Sequence, residues 1–184
     1  MQFSQTKSLN QMKPFWNLTR LSIAATALSL GAFSQSLTAQ ELEATPRYGE
    51  AELIAGYVDD PHSISIQTGG LDEAPDLDGI CSGYIFNSAP DYNVVYDASG
   101  QPLSVLVVSD SDTTLLVNDA LGRWHCNDDS RFAGGSNPAI TFDEAESGTY
   151  NIWVGSYEQG SVDQANLLVT EYASAQWADF IEAP

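Results

Sequence analysis

Two clusters of oxygen-bearing side chains flank a pair of short apolar runs near the middle of the chain. Ser109-Asp110-Ser111-Asp112 leads into Thr113-Thr114-Leu115-Leu116-Val117, and Trp124-His125-Cys126 leads into Asn127-Asp128-Asp129-Ser130. Between the runs, Asn118-Asp119-Ala120-Leu121-Gly122-Arg123 has the composition of a turn. An antiparallel hairpin with Val117 facing Trp124 and Leu115 facing Cys126 sets Asp112 opposite Asp129. Asp110, Asp112, Asn127, Asp128 and Asp129 then converge at one end of the ribbon. Carboxylates crowded in this way repel one another unless a cation sits among them. The chemistry to expect there is calcium binding rather than catalysis.

Calcium takes roughly six to eight oxygen ligands from carboxylates, amides, carbonyls and water. Magnesium would keep more of its water. Zinc would need His or Cys, and the adjacent His125 and Cys126 point to opposite faces of a strand. The spacing is not that of an EF-hand. The competing reading is that these acids are solvated turn-formers and strand caps. A second acidic stretch, Asp72-Glu73-Ala74-Pro75-Asp76-Leu77-Asp78-Gly79, reads as a polar loop rich enough in carboxylates to hold an ion.

Catalytic constellations are hard to assemble. Only His62 and His125 could serve a nucleophilic triad, and neither a G-x-S-x-G elbow nor a phosphate-cradling glycine loop is present. Paired carboxylates of a glycosidase are not informative in a chain with 25 acids. The expectation is a protein without catalytic activity of its own.

The elements that must position these residues are short. Alternating runs bounded by Gly, Pro, Asp or Asn predict strands at 49–58, 63–68, 82–86, 93–97, 103–108, 113–117, 123–127, 139–142, 150–157 and 164–171. Many short strands at this spacing predict an all-β fold, an antiparallel β-sandwich of jelly-roll type. Alternation places Ile64 and Ile66 on one face. Val105 and Val107 share a face, with Leu106 and Val108 on the other. Ile152 and Val154 point inward and Trp153 outward. Trp153 and Tyr157 are therefore candidates for stacking on a ligand, unless a neighbouring loop covers Trp153. Trp124, on the face of Leu115 and Cys126 in this register, is expected in the core. Residues 172–184 form an aromatic tail suited to a short docked helix. The chain shows no internal repeat and no second domain.

The start of the chain reads as an export signal. Lys7, Lys13 and Arg20 precede an apolar run at 21–33, and Leu37-Thr38-Ala39 offers a cleavage point. Beyond it, residues 40–47 read as a short disordered lead-in, 48–171 as the folded domain and 172–184 as the tail. The portion after residue 39 keeps three basic residues against 25 acidic ones, a charge near −22. Such a surface excludes nucleic acid and anionic membrane as partners. Export with two cysteines alone, Cys81 and Cys126, predicts a disulfide, with buried free thiols as the alternative. The expected location is the periplasm or the extracellular space.

Several motifs together resemble a known family. Gly83-Tyr84-Ile85, Ala89-Pro90-Asp91-Tyr92, Pro102-Leu103-Ser104-Val105, the D-x-D-T-x-L run at 110–115, Asn127-Asp128-Asp129 and Ser147-Gly148-Thr149-Tyr150-Asn151-Ile152-Trp153-Val154 are similar to the bacterial pre-peptidase C-terminal domain, here in a stand-alone form. The resemblance spans about residues 48–171. It implies a β-sandwich found beside secreted peptidases, able to carry structural calcium and to bind an extracellular protein or glycan. It implies ion ligands at Asp110, Asp112, Asn127, Asp128 and Asp129. A stand-alone form is the expectation, so the resemblance carries over no role in peptidase maturation.

Overall fold

A computed structural model describes residues 41–75, 77 and 81–181. The expected export signal lies outside these residues, as do Asp76 and Asp78 of the second acidic stretch. Two sheets form a β-sandwich. In the first, β1 (Glu50–Ile54), β5 (Tyr92–Asp97), β10 (Gly148–Ser156), β7 (Thr113–Asn118) and β8 (Trp124–Asn127) lie side by side. Where β5 ends, β4 (Tyr84–Ile85) continues the flank of β10 and pairs with β3 (Asp72–Glu73). The second sheet runs β2 (His62–Gln67), β11 (Gln164–Thr170), β6 (Leu103–Val108), β9 (Ala139–Phe142). All pairs are antiparallel except β1 with β5, which is parallel. That pair departs from the strictly antiparallel arrangement expected. A β1 running beside its later neighbour in the same direction needs the long excursion through the second sheet that β2 provides.

Alternation along the strands divides the apolar residues as the sequence predicts. Ile66, Val105, Val107, Leu167 and Val169 of the second sheet meet Val94, Leu115, Val117, Ile152 and Val154 of the first in one core. Leu106 and Leu168 face the other way, under Trp177. Trp177 follows a 3₁₀ turn (Ser174–Gln176), precedes α1 (Ala178–Ile181) and donates its indole N–H to the Tyr172 carbonyl at 2.9 Å. The aromatic tail thus docks as a lid on the second sheet.

The β7–β8 ribbon corrects the predicted register by one residue. Leu116 faces Cys126, Val117 faces His125 and Asn118 faces Trp124. The reason is the turn. Asp119 and Arg123 close a three-residue loop, Asp119 N–H to Arg123 C=O at 2.9 Å, with Gly122 at φ +75°. This is a type I turn completed by a left-handed glycine bulge, which changes loop parity relative to an even-numbered turn. Cys126 and Trp124 therefore leave the face of Leu115 and join Leu116 on the outside of the sheet.

That switch positions the disulfide. Cys81 bonds Cys126 with Cα atoms 5.7 Å apart. Ala74, Leu77 and the bonded Cys81 pack as a strap across Ile85, Leu116 and Trp153. Trp153 is 0% exposed and packs on Trp124 at 5.3 Å between ring centroids. At Gly155 a side chain would collide with the Tyr84 carbonyl, so the glycine permits close approach of the strap's own strand.

Residues 41–47 are held rather than free, contrary to the expected disordered lead-in. Arg47 donates its backbone N–H to Pro90 C=O and its guanidinium to Asp91 at 2.6 Å, and lies 4.0 Å over the Phe86 ring. Asp91 is fully buried and also accepts the Val154 N–H at 2.7 Å. Burial pushes its carboxyl up to about 7 against the opposing pull of those two donors.

Replacing both cysteines by serine should cost about 3–4 kcal/mol in denaturant unfolding, as expected for opening a loop of this length. It should also shift Trp emission to the red as the strap lifts from Trp153. Asp91 holds its proton when folded at pH values where the unfolded chain has lost it. Its contribution to stability is therefore complete below about pH 4 and disappears as pH rises to about 7. Melting temperatures across that window should fall less steeply for Asp91→Asn than for the native chain.

Candidate functional site

The strands deliver the five predicted ion ligands to different places. Odd and even residues of β8 point to opposite sides, so Asn127 turns inward toward the second sheet. Its Oδ1 accepts the Ala139 N–H at 2.9 Å and its Nδ2 donates to the Asp129 carbonyl at 3.0 Å. Asn127 is thus a clamp between the two sheets at the start of β9. Asp128 turns outward, and its Oδ2 accepts the Ser82 N–H of the strap at 3.1 Å. Asp110 is exposed and lines a depression with Ser65, Val108 and Asn166 on the side of the second sheet.

Asp112, Asp128 and Asp129 do come near one another. Partial burial, followed by the charges of Asp129 and Asp128, raises the Asp112 carboxyl above its ordinary range. Their oxygens are not gathered into a chelate. Among the described residues no three of Asp, Glu, His and Cys stand close enough to hold a metal ion. The loops around them are fixed by Asn137, which accepts the Thr113 hydroxyl at 3.0 Å and donates to Ser109 C=O at 2.8 Å.

Trp153, a candidate stacking residue, is removed from that role by the strap that buries it. Tyr157 is 55% exposed. It stands between two depressions. One, of about 460 Å³, is lined by Glu73, Ser82 and Tyr84. The other, of about 400 Å³, is lined by Asp112, Glu158 and Asp163. The backbone N–H of Tyr157 donates to Asp112 C=O at 3.1 Å, which couples the tyrosine to the acidic loop.

Both histidines are engaged elsewhere. His62 Nε2 lies 2.9 Å from the Tyr92 hydroxyl. His125 Nε2 lies 2.8 Å from Asp119 Oδ2, and its ring meets Phe142 edge-on at 4.9 Å. Among the described residues neither is hydrogen-bonded to a serine, threonine or cysteine side chain, the nucleophiles of a serine-type triad. Asp119 organises the β7–β8 turn. Its Oδ1 accepts the N–H groups of Leu121 and Arg123, and its Oδ2 accepts Arg123 Nε and His125. Burial alone would raise its pKa. The hydrogen bonds, led by those from Arg123 and His125, outweigh burial and hold the carboxyl below the ordinary range.

Sequence reasoning overlooked three buried asparagines, Asn93, Asn118 and Asn151, on β5, β7 and β10. Their sequence signal is the placing of a poor strand former within or at the end of apolar runs.

No protein-family model matches the chain, and no curated protein matches it. Solved structures of similar shape include the pre-peptidase C-terminal domain of a collagenase from Bacillus anthracis. It shows 16% identity over 66% of this chain and 92% of that one, with a TM-score of 0.38. A periplasmic inhibitor of g-type lysozyme from Aeromonas hydrophila shows 17% identity over 66% and 96%, with a TM-score of 0.33. A surface-associated copper-binding protein from Methylomicrobium album BG8 shows 10% identity over 69% and 99%, with a TM-score of 0.38. What each of these proteins binds belongs to that protein. The β-sandwich of the present chain rests on its own two sheets and their pairing.

Proposed function

We propose that this chain is an exported, non-catalytic β-sandwich module that binds a positively charged extracellular protein through its acidic end. The observation that carries this reading is the distribution of countercharge. Beyond residue 39 the chain has three arginines and no lysine. Arg47 pairs with buried Asp91 and Arg123 with buried Asp119. Arg131 stacks on Phe132. Asp112, Asp128 and Asp129 are left with no basic partner among the described residues, beside the exposed Tyr157. A protruding tyrosine flanked by uncompensated acids suits a basic protein surface: the ring supplies contact area, and the charges speed encounter. Export is supported by the disulfide, which persists in an oxidising compartment.

Calcium is the second reading of the same end, favoured by the raised carboxyl of Asp112 beside two like charges. Asp112 and Asp129 would hold the ion together with water. Such a sparse protein shell belongs to the weak class of extracellular calcium sites, about 10⁻⁴–10⁻³ M.

Binding to a panel of basic and acidic extracellular proteins tests the first reading. Basic partners should associate at rates that fall steeply with salt, and Tyr157→Ala should weaken the complex about tenfold. Equal binding of acidic proteins, or an unaffected Tyr157→Ala variant, would overturn it. For calcium, thermal melts in millimolar calcium against EDTA should differ by a few degrees. Asp112→Asn should raise the melting point in EDTA and erase the response, since it removes the repulsion the ion relieves. Superimposable melts of the native chain would remove the calcium reading.

A further inference from the structure

A different face of the first sheet carries a polar feature that neither the acidic end nor the core uses. Asn151 on β10 lies opposite Asn93 on β5 and opposite Asn118 on β7, so three asparagines form one row across adjacent strands. All three are buried. The row floors a depression of about 610 Å³, walled by Leu42 and Pro46 of the lead-in and by Ala120 of the β7–β8 turn, with Glu50 at its rim.

The hydrogen bonding within the row has a direction. Asn151 Nδ2 donates to Asn93 Oδ1 at 3.0 Å. Asn93 therefore keeps its Nδ2 donor for a further partner, and Asn151 keeps its Oδ1 acceptor. Asn118 is 4% exposed, and its Nδ2 is buried with no hydrogen-bond partner among the described residues. A buried amide left unpaired is costly, and an ordered water or a ligand group is a means of completing it.

We propose that this asparagine row is a binding site for a neutral saccharide. Sugar hydroxyls donate and accept at the same atom, and adjacent hydroxyls span the alternating donor and acceptor that Asn93 and Asn151 present. A metal ion fits poorly: among the described residues no three Asp, Glu, His or Cys side chains gather to hold one, and the carboxylate of nearby Asp119 is taken up by Leu121, Arg123 and His125. An anion would meet the carboxylates of Glu43 and Glu50. An extended peptide would pair with a sheet edge, whereas this depression lies on a sheet face. Glu50 is placed to accept hydroxyl protons at the rim. The described lining holds no aromatic ring, so hydrogen bonds rather than stacking select the ligand. This site is independent of the acidic end and of the partner proposed there.

The test is a nitrogen-15 NMR titration of the full chain with glucose, N-acetylglucosamine and cellobiose. The side-chain amide signals of Asn93, Asn118 and Asn151 should move together and saturate with at least one of the three. Asn118→Leu should weaken that response at least tenfold while keeping or raising the melting temperature, because it deletes an unpaired polar group. Motionless asparagine amides with all three sugars would overturn the proposal, as would shifts confined to the surroundings of Tyr157. A markedly lower melting temperature for Asn118→Leu would also overturn it, by marking the amide as a structural group satisfied within the fold.

Discussion

The outer surface of the first sheet depends on the register of one short ribbon. Residues facing each other across β7 and β8 share a side of the sheet, and a slip of one position would exchange the two sides. Asp119 fixes the choice. Its carboxylate collects two backbone N–H groups, Arg123 Nε and His125 within a single turn. The left-handed Gly122 completes a loop of odd length. With that parity Cys126 emerges on the outside beside Leu116, where Cys81 can reach it. With the other parity Cys126 would sit in the core between the sheets, and nothing would tie the strap down.

From the disulfide outward, the sheet face divides into two territories along β10. Trp153 lies under the strap with Ile85, Leu116 and Trp124. Asn151, two residues earlier and on the same side, lies in the polar depression under the lead-in. The same strand thus has an apolar half that is covered covalently and an amide half that is not. The second sheet solves its equivalent problem differently, by folding Trp177 and Phe180 of the C-terminal tail over Leu106 and Leu168. A sandwich of this size exposes two outer faces, and strands that are apolar on both sides need such covers.

The inner core was legible because it depends only on period-two alternation within each strand. Val105 with Val107 and Ile152 with Val154 need no knowledge of partners to be placed. Features that depend on pairing between distant strands were harder. The hairpin parity turned on whether Gly122 takes a left-handed bulge, which composition does not decide. The parallel partnership of β1 with β5 joins residues about forty positions apart. β3, Asp72–Glu73, consists of two acids with low strand propensity and forms because β4 lies beside it. At the candidate site, Asp112 feels the charges of Asp129 and Asp128, but the facing of Asp112 and Asp129 expected from the sequence rested on a register one residue away from the observed one. The inward turn of Asn127 was not legible, because its partner is the backbone of β9. The asparagine row becomes visible only when three strands from separate parts of the chain are aligned.

The charge pattern ties fold and site together. A chain with so few cations has to choose which acids to neutralise. Two of the three arginines beyond residue 39 pair with Asp91 and Asp119, the aspartates whose burial would otherwise be most costly. One anchors the lead-in to the first sheet and the other sets the hairpin. Acids at the surface are left to solvent, where high dielectric makes isolated charges tolerable. At the mouth of the ribbon that tolerance is weakest, since Asp112 is partly buried and faces two like charges. The arginine pairing that stabilises the fold is therefore the same feature that leaves Asp112, Asp128 and Asp129 without a basic partner among the described residues.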